Sequence, residues 1–107
     1  MNQGMMTTFE KLTEEELEKA AFILKTIAHP TRLAIIDLLT KKGSLTVSQI
    51  CEELDLEQSL ASHNLSAMKV KGILSSAREG KTVIYSLKLT EVIQVLSCIE
   101  HCDLSRF

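Results

Sequence analysis

The period of the hydrophobic pattern switches at Gly72 from that of a helix to that of a strand. Up to that point apolar residues recur every three or four positions, the spacing of one face of an α-helix. Beyond it, Ile73 to Ala77 and Thr82 to Leu87 read as two strands around Arg78-Glu79-Gly80-Lys81, a glycine-containing hairpin turn, and Val83, Tyr85 and Leu87 alternate onto one face. With 107 residues there is room for one core, so a helical body and a short hairpin must share it.

Capping chemistry divides the helical part. Thr13-Glu14-Glu15-Glu16 opens a first helix with a threonine cap, a glutamate three residues on, and acids at the positive end of the helix dipole. Leu17, Ala20, Ala21, Leu24, Ile27 and Ala28 follow as a stripe; Phe22 and Ile23 lie off it, so this helix is apolar on more than one side and packs against two things. Pro30 begins a second helix, with Leu33, Ile35, Ile36, Leu38 and Leu39 buried, and Lys41-Lys42-Gly43 ends it. Thr46-Val47-Ser48-Gln49 starts a third, which turns Ile50 and Leu54 inward. Asp55-Leu56-Glu57 connects it to a fourth, Gln58 to about Lys71, whose apolar stripe is Ala61, Leu65 and Met68. A last helix runs from about Leu89 to His101 with Val92, Ile93, Leu96 and Ile99. Residues 1–12 read as a loose tail, and 13–107 as one domain.

Composition narrows the function classes. The chain is 45 % apolar, enough for a core, but only 4 % aromatic and without tryptophan, a thin core that favours help from a second subunit. No apolar run reaches the length of a membrane span, and Met1–Thr8 lacks the basic and apolar parts of a signal peptide, so no membrane partner and a cytoplasmic location are expected. Cys51, Cys98 and Cys102 are an odd number and are expected as reduced thiols. Net charge is −2, but it is unevenly spread: residues 58–88 carry five basic side chains against one acidic, whereas residues 1–57 carry six against ten. A phosphate backbone responds to the face that approaches it, so the basic segment is where a nucleic-acid footprint belongs.

Two short helices joined by a three- or four-residue turn and followed by a basic hairpin form a helix-turn-helix with a wing, a mainly α fold with a small β-hairpin. The exposed face of the second helix of the pair is short and uncharged near its start. There Gln58, Ser59, Ser62 and His63, with Ser66 on the same side, are candidates for base edges or phosphates; glutamine pairs with adenine through two hydrogen bonds, and small hydroxyls allow close approach. Lys69 and Lys71 suit flanking phosphates, and Arg78 and Lys81 at the hairpin suit an adjacent minor groove or backbone. No enzyme is expected. The serines and histidine lack a carboxylate to orient them, and no glycine loop cradles a phosphate.

Three motifs carry a resemblance. Ala28-His29-Pro30-Thr31-Arg32-Leu33-Ala34-Ile35-Ile36-Asp37-Leu38-Leu39 resembles the second-helix signature of the ArsR/SmtB repressors, Ser59-Leu60-Ala61-Ser62-His63-Asn64-Leu65 their recognition helix, and Arg78-Glu79-Gly80-Lys81-Thr82-Val83-Ile84-Tyr85-Ser86-Leu87 their wing. The resemblance implies a homodimer held by the first and last helices (about 13–28 and 89–102). It also implies a palindromic operator in double-stranded DNA, with one recognition helix per half-site. The expected function is that of a sequence-specific repressor released by an effector; the alternative is a winged helix that docks a protein partner without specific DNA binding. Arg32 is expected in a structural salt bridge rather than at DNA. Glu57 stands where the family often has serine, and Asn64 where it usually has glutamine or histidine, changes expected to alter affinity or operator choice.

The family's familiar zinc ligands are missing. Thr46 and Ser48 stand at one site, and Leu89, Glu91, Cys102 and Ser105 at the other, so no resident metal is expected. Cys98 and Cys102 keep three readings open through their four-residue spacing on one helical face, with His101 adjacent: packing in the dimer interface, reaction with an oxidant or persulfide, or binding of a thiophilic metal ion. Cys51 is expected in the core and His29 at the surface or as a cap.

Overall fold

A computed structural model describes residues 12–107. The tail expected over residues 1–12 lies outside them, Leu12 excepted. In chain order the elements are α1 (Glu14–Ile27), α2 (Pro30–Lys42), β1 (Ser44–Thr46), α3 (Val47–Leu54), α4 (Gln58–Val70), β2 (Leu74–Glu79), β3 (Thr82–Leu87) and α5 (Val92–Glu100), with a 3₁₀ turn at Leu104–Arg106. Among the described residues, five α-helices and a three-stranded antiparallel sheet make a winged helix-turn-helix.

The helix starts follow the caps. Thr13 Oγ1 accepts from Glu16 N at 3.1 Å, while Glu16 Oε1 accepts from Thr13 N at 3.0 Å, a reciprocal capping box. Pro30 occupies the first turn of α2, where its missing N–H costs nothing. Gly43 ends that helix at φ +91°, a conformation that favours glycine, and donates its N–H to Leu39 O at 2.8 Å.

The core lies between α2, α3, α4 and the sheet. Ile35, Ile36, Leu39, Ile50, Leu65, Met68, Ile73 and Leu74 are fully enclosed, each contributing about 1.5–3 kcal/mol by leaving water. In α1 the packing face departs from the expected stripe. Ile23, Thr26 and Ile27 turn toward the body, whereas Ala21, Leu24 and Ala28 of that stripe stand exposed. A helix apolar on two sides does not reveal by periodicity alone which side its own core takes.

The sheet has one strand more than expected. β1 pairs with β3 to give the order β1-β3-β2, with Leu45 opposite Tyr85 and Thr46 opposite Ile84. Three residues are too few to display a period of two. The hairpin itself reverses at Gly80-Lys81, since Arg78 and Glu79 already pair with Val83 and Thr82 inside the ladder. Gly80 has φ +64° and Lys81 does not share a positive φ, the signature of a type II′ turn. The last helix also starts later than the expected Leu89. The amides of Lys88 and Leu89 both donate to Ile73 O, at 2.9 and 3.0 Å, which anchors the chain to the sheet before α5 begins at Val92.

Candidate nucleic-acid interface

α3 and α4 form the helix pair. Thr46 caps α3 reciprocally with Gln49, at 3.1 and 2.8 Å. The turn out of α3 is made by Asp55 at φ +55°, ψ +53°, the one non-glycine residue with positive φ among the described residues. Aspartate tolerates that left-handed conformation better than most side chains. Leu56 then closes the turn by donating to Cys51 O at 3.0 Å. Glu57 occupies the N-cap of α4 without a side-chain cap bond, as expected of glutamate there.

Successive residues of α4 rotate by about 100°, which puts Ala61, Leu65 and Met68 against the core. The same rotation gathers Gln58, Ser59, Ser62, His63, Ser66 and Lys69 on the opposite side. All six are exposed except Ser62, which is half-buried. Those serine and histidine side chains are therefore one surface. Lys69 in the last turn sits at the negative end of the helix dipole.

The wing approaches the start of this helix. Gln58 lines a shallow cleft shared with Thr46, Val47 and Ser48 on one side and Lys81, Thr82 and Val83 on the other. The recognition face and the hairpin tip are thus continuous, with Lys81 at their junction. Arg78 stands exposed on β2 opposite Val83. Lys71 is exposed, and its Nζ lies 5.4 Å from the centroid of the Phe22 ring on α1, a cation–π arrangement.

One further expectation is corrected. Among the described residues Arg32 makes no salt bridge; its Nε donates to Asn64 Oδ1 at 2.8 Å and its Nη1 to the Thr26 carbonyl oxygen at 2.8 Å. Asn64 is 7 % exposed and points away from the groove-facing side, so it is not a base-reading position. A polar residue within a run of serines and histidine looks like part of a surface; only its helical phase, beside Ala61 and Leu65, marks it as inward.

The cysteines are less neatly aligned than their spacing implies. Cys98 lies on α5, but Cys102 follows the helix end at His101, and both thiols are exposed. His101 Nδ1 is 2.7 Å from the Ser97 carbonyl oxygen. Among the described residues no group of three His, Cys, Asp or Glu side chains has the arrangement to hold a metal ion. Cys51 is partly buried against the core.

The family model "Bacterial regulatory protein, arsR family" matches residues 29–76, from the start of α2 into β2. The transcriptional repressor PagR of Bacillus anthracis is 39 % identical over 100 residues, spanning 89 % of this chain and all of that protein. Its crystal structure superposes with a TM-score of 0.72, covering 79 % of this chain and 97 % of that one. An HTH-type transcriptional regulator of Methanocaldococcus jannaschii is 36 % identical across 80 % of this chain and 97 % of its own length. HlyU of Vibrio cholerae, 31 % identical, superposes with a TM-score of 0.74 over 81 % of this chain and 94 % of its own.

Proposed function

We infer the mode of action from one premise: the chain belongs to the arsR family of bacterial regulatory proteins and is a DNA-binding transcriptional regulator, not an enzyme. α4 enters the major groove with Gln58, Ser59, Ser62, His63 and Ser66 toward base edges and sugar–phosphate. Lys69 meets a flanking phosphate, and the wing lays Arg78 and Lys81 along the neighbouring backbone or minor groove. The observation that carries this reading is the continuity of the uncharged α4 face with Lys81 through the cleft at Gln58. The net charge of +4 over residues 58–88 supports it, because these residues supply α4 and the wing while the acidic segments lie elsewhere in the chain.

The acting unit is a homodimer through α1 and α5 on a palindromic operator, in the cytoplasm. Leu24 on α1 and Ile99 on α5 are 49 % and 42 % exposed, apolar area that a second copy would cover. Occupying the operator represses the adjacent gene, as the name of PagR, a transcriptional repressor, suggests for this chain too. An effector releases the DNA, and the exposed Cys98 and Cys102 are the candidate sensors, through oxidation, persulfide formation or a thiophilic metal ion.

Fluorescence anisotropy on the intergenic DNA upstream of the protein's own gene tests the reading, run at moderate salt against a scrambled duplex, first reduced, then oxidised, then with a metal panel. Preference for the upstream duplex is expected. Equal affinity for both duplexes would sink the operator reading and leave the winged helix as a protein-docking module. Release only on oxidation or with a metal would give Cys98 and Cys102 their role; indifference to both would reduce them to packing residues.

A further inference from the structure

The face of α4 opposite the groove-facing residues carries a set of hydrogen bonds that ties it to α1. Thr26 is the penultimate residue of α1, and the residue that would normally cap its carbonyl, four positions on, is Pro30, which has no N–H. Arg32 Nη1 takes that orphaned carbonyl at 2.8 Å, and Arg32 Nε reaches Asn64 Oδ1 on α4 at 2.8 Å. Asn64 Nδ2 in turn donates to Leu60 O at 2.9 Å, which fixes the amide's orientation. Thr26 and Asn64 are 5 % and 7 % exposed, so these bonds form largely away from water, where directional contacts count most.

Packing alone would accept an apolar side chain at position 64, beside Ala61, Leu65 and Met68. The hydrogen bonds do something packing does not. An aliphatic contact leaves α4 free to roll by small angles, whereas two short bonds through a planar guanidinium hold both its rotation and its distance from the end of α1. No carboxylate competes for Arg32: among the described residues the salt bridge is that of Lys41 with Asp37, on the exposed side of α2.

We propose that Arg32 and Asn64 are positioning residues for DNA recognition, locking the rotation of α4 to the C-terminal end of α1. The inference rests on the reading that α4 enters the groove and α1 joins two subunits. If α1 sets where the partner stands, the Arg32–Asn64 link makes the separation of the two recognition helices a fixed length, and half-site spacing becomes part of operator specificity. Neither residue touches DNA.

Two measurements on the intact protein decide it. Amide hydrogen exchange without DNA compares the wild type with Asn64→Leu, which keeps the branched shape and removes both the acceptor and the donor. Exchange is expected to quicken together in the last turn of α1 and the first half of α4, with β3 unchanged. Quickening confined to α4 would overturn the coupling to α1. Anisotropy then compares the upstream operator with a duplex whose half-sites are moved one base pair apart. Asn64→Leu is expected to lose about tenfold in preference for the native spacing, the scale of one charge-assisted hydrogen bond, at unchanged affinity for scrambled DNA. Asn64→Asp, whose carboxylate still accepts from Arg32 although it no longer donates to Leu60 O, is expected to restore part of the preference. Retention of the spacing preference in Asn64→Leu, or its equal loss in both variants, would overturn the proposal. Should the wild type show no operator preference at all, the operator reading falls, and the exchange experiment still decides whether α1 and α4 are coupled.

Discussion

Single side chains on α4 and the wing divide by what they can tell about a sequence. Lys81 is exposed at the hairpin tip and offers only a charge. Lys81→Ala should therefore weaken all duplexes about equally and lower the slope of log affinity against log salt by about one unit, as a salt titration would read. Gln58, at the mouth of the cleft, presents both a donor and an acceptor. Gln58→Ala should change discrimination among operator variants by about 1–3 kcal/mol at one base position while leaving scrambled DNA unaffected, and competition anisotropy across single-base variants checks it. A uniform loss would remove Gln58 from base reading. At this scale the sequence was legible where chemistry and helical phase agreed. Gln58, Ser59, Ser62, His63, Ser66 and Lys69 stand on the face their spacing assigned. The partner of Arg32 was misread because it is Asn64, 32 positions along the chain, a distance no local pattern spans.

Elements were legible in proportion to the number of turns or alternations they contain. The capping boxes of α1 and α3 form as their sequences dictate, through Thr13 with Glu16 and Thr46 with Gln49. β1 was invisible because its evidence lies in β3, the strand it pairs with, and not in Ser44-Leu45-Thr46. The inward face of α1 was ambiguous for a related reason: two apolar sides compete, and only the body beneath chooses between them. Thr46 belongs to both classes of element, ending β1 and capping α3. Thr46→Ala should cost about 1 kcal/mol through the lost cap, a fall in melting temperature of about 4–8 °C for a domain of this size, measurable by calorimetry. A Thr46→Ser variant keeps the hydroxyl and should recover most of that loss.

At the scale of the whole molecule, the exposed apolar residues matter more than the buried ones. Leu24→Glu puts a charge on α1 at a half-exposed position that, among the described residues, is not one of those packed against the core. If two copies join through α1 as proposed, light scattering should then show a monomer where the wild type gives a dimer, with the melting transition becoming independent of protein concentration. Operator affinity should fall much further than affinity for scrambled DNA, since one half-site remains. A variant that stays dimeric would move the interface off α1.

The absence of any spacer between β1 and α3 sets where this protein can be cut, extended or fused. A single residue inserted between Thr46 and Val47 would either rotate α3 by about 100°, turning Ile50 out of the core, or slip β1 and break the register of Leu45 with Tyr85. At Gly80-Lys81 the ladder is already closed by Glu79 and Thr82, so added residues would lengthen a solvent-facing tip without moving anything behind it. Graft tolerance is thus very different at two neighbouring points on the same end of the sheet: the hairpin tip can take a new recognition loop, whereas the β1–α3 joint beside it cannot accept even one amino acid.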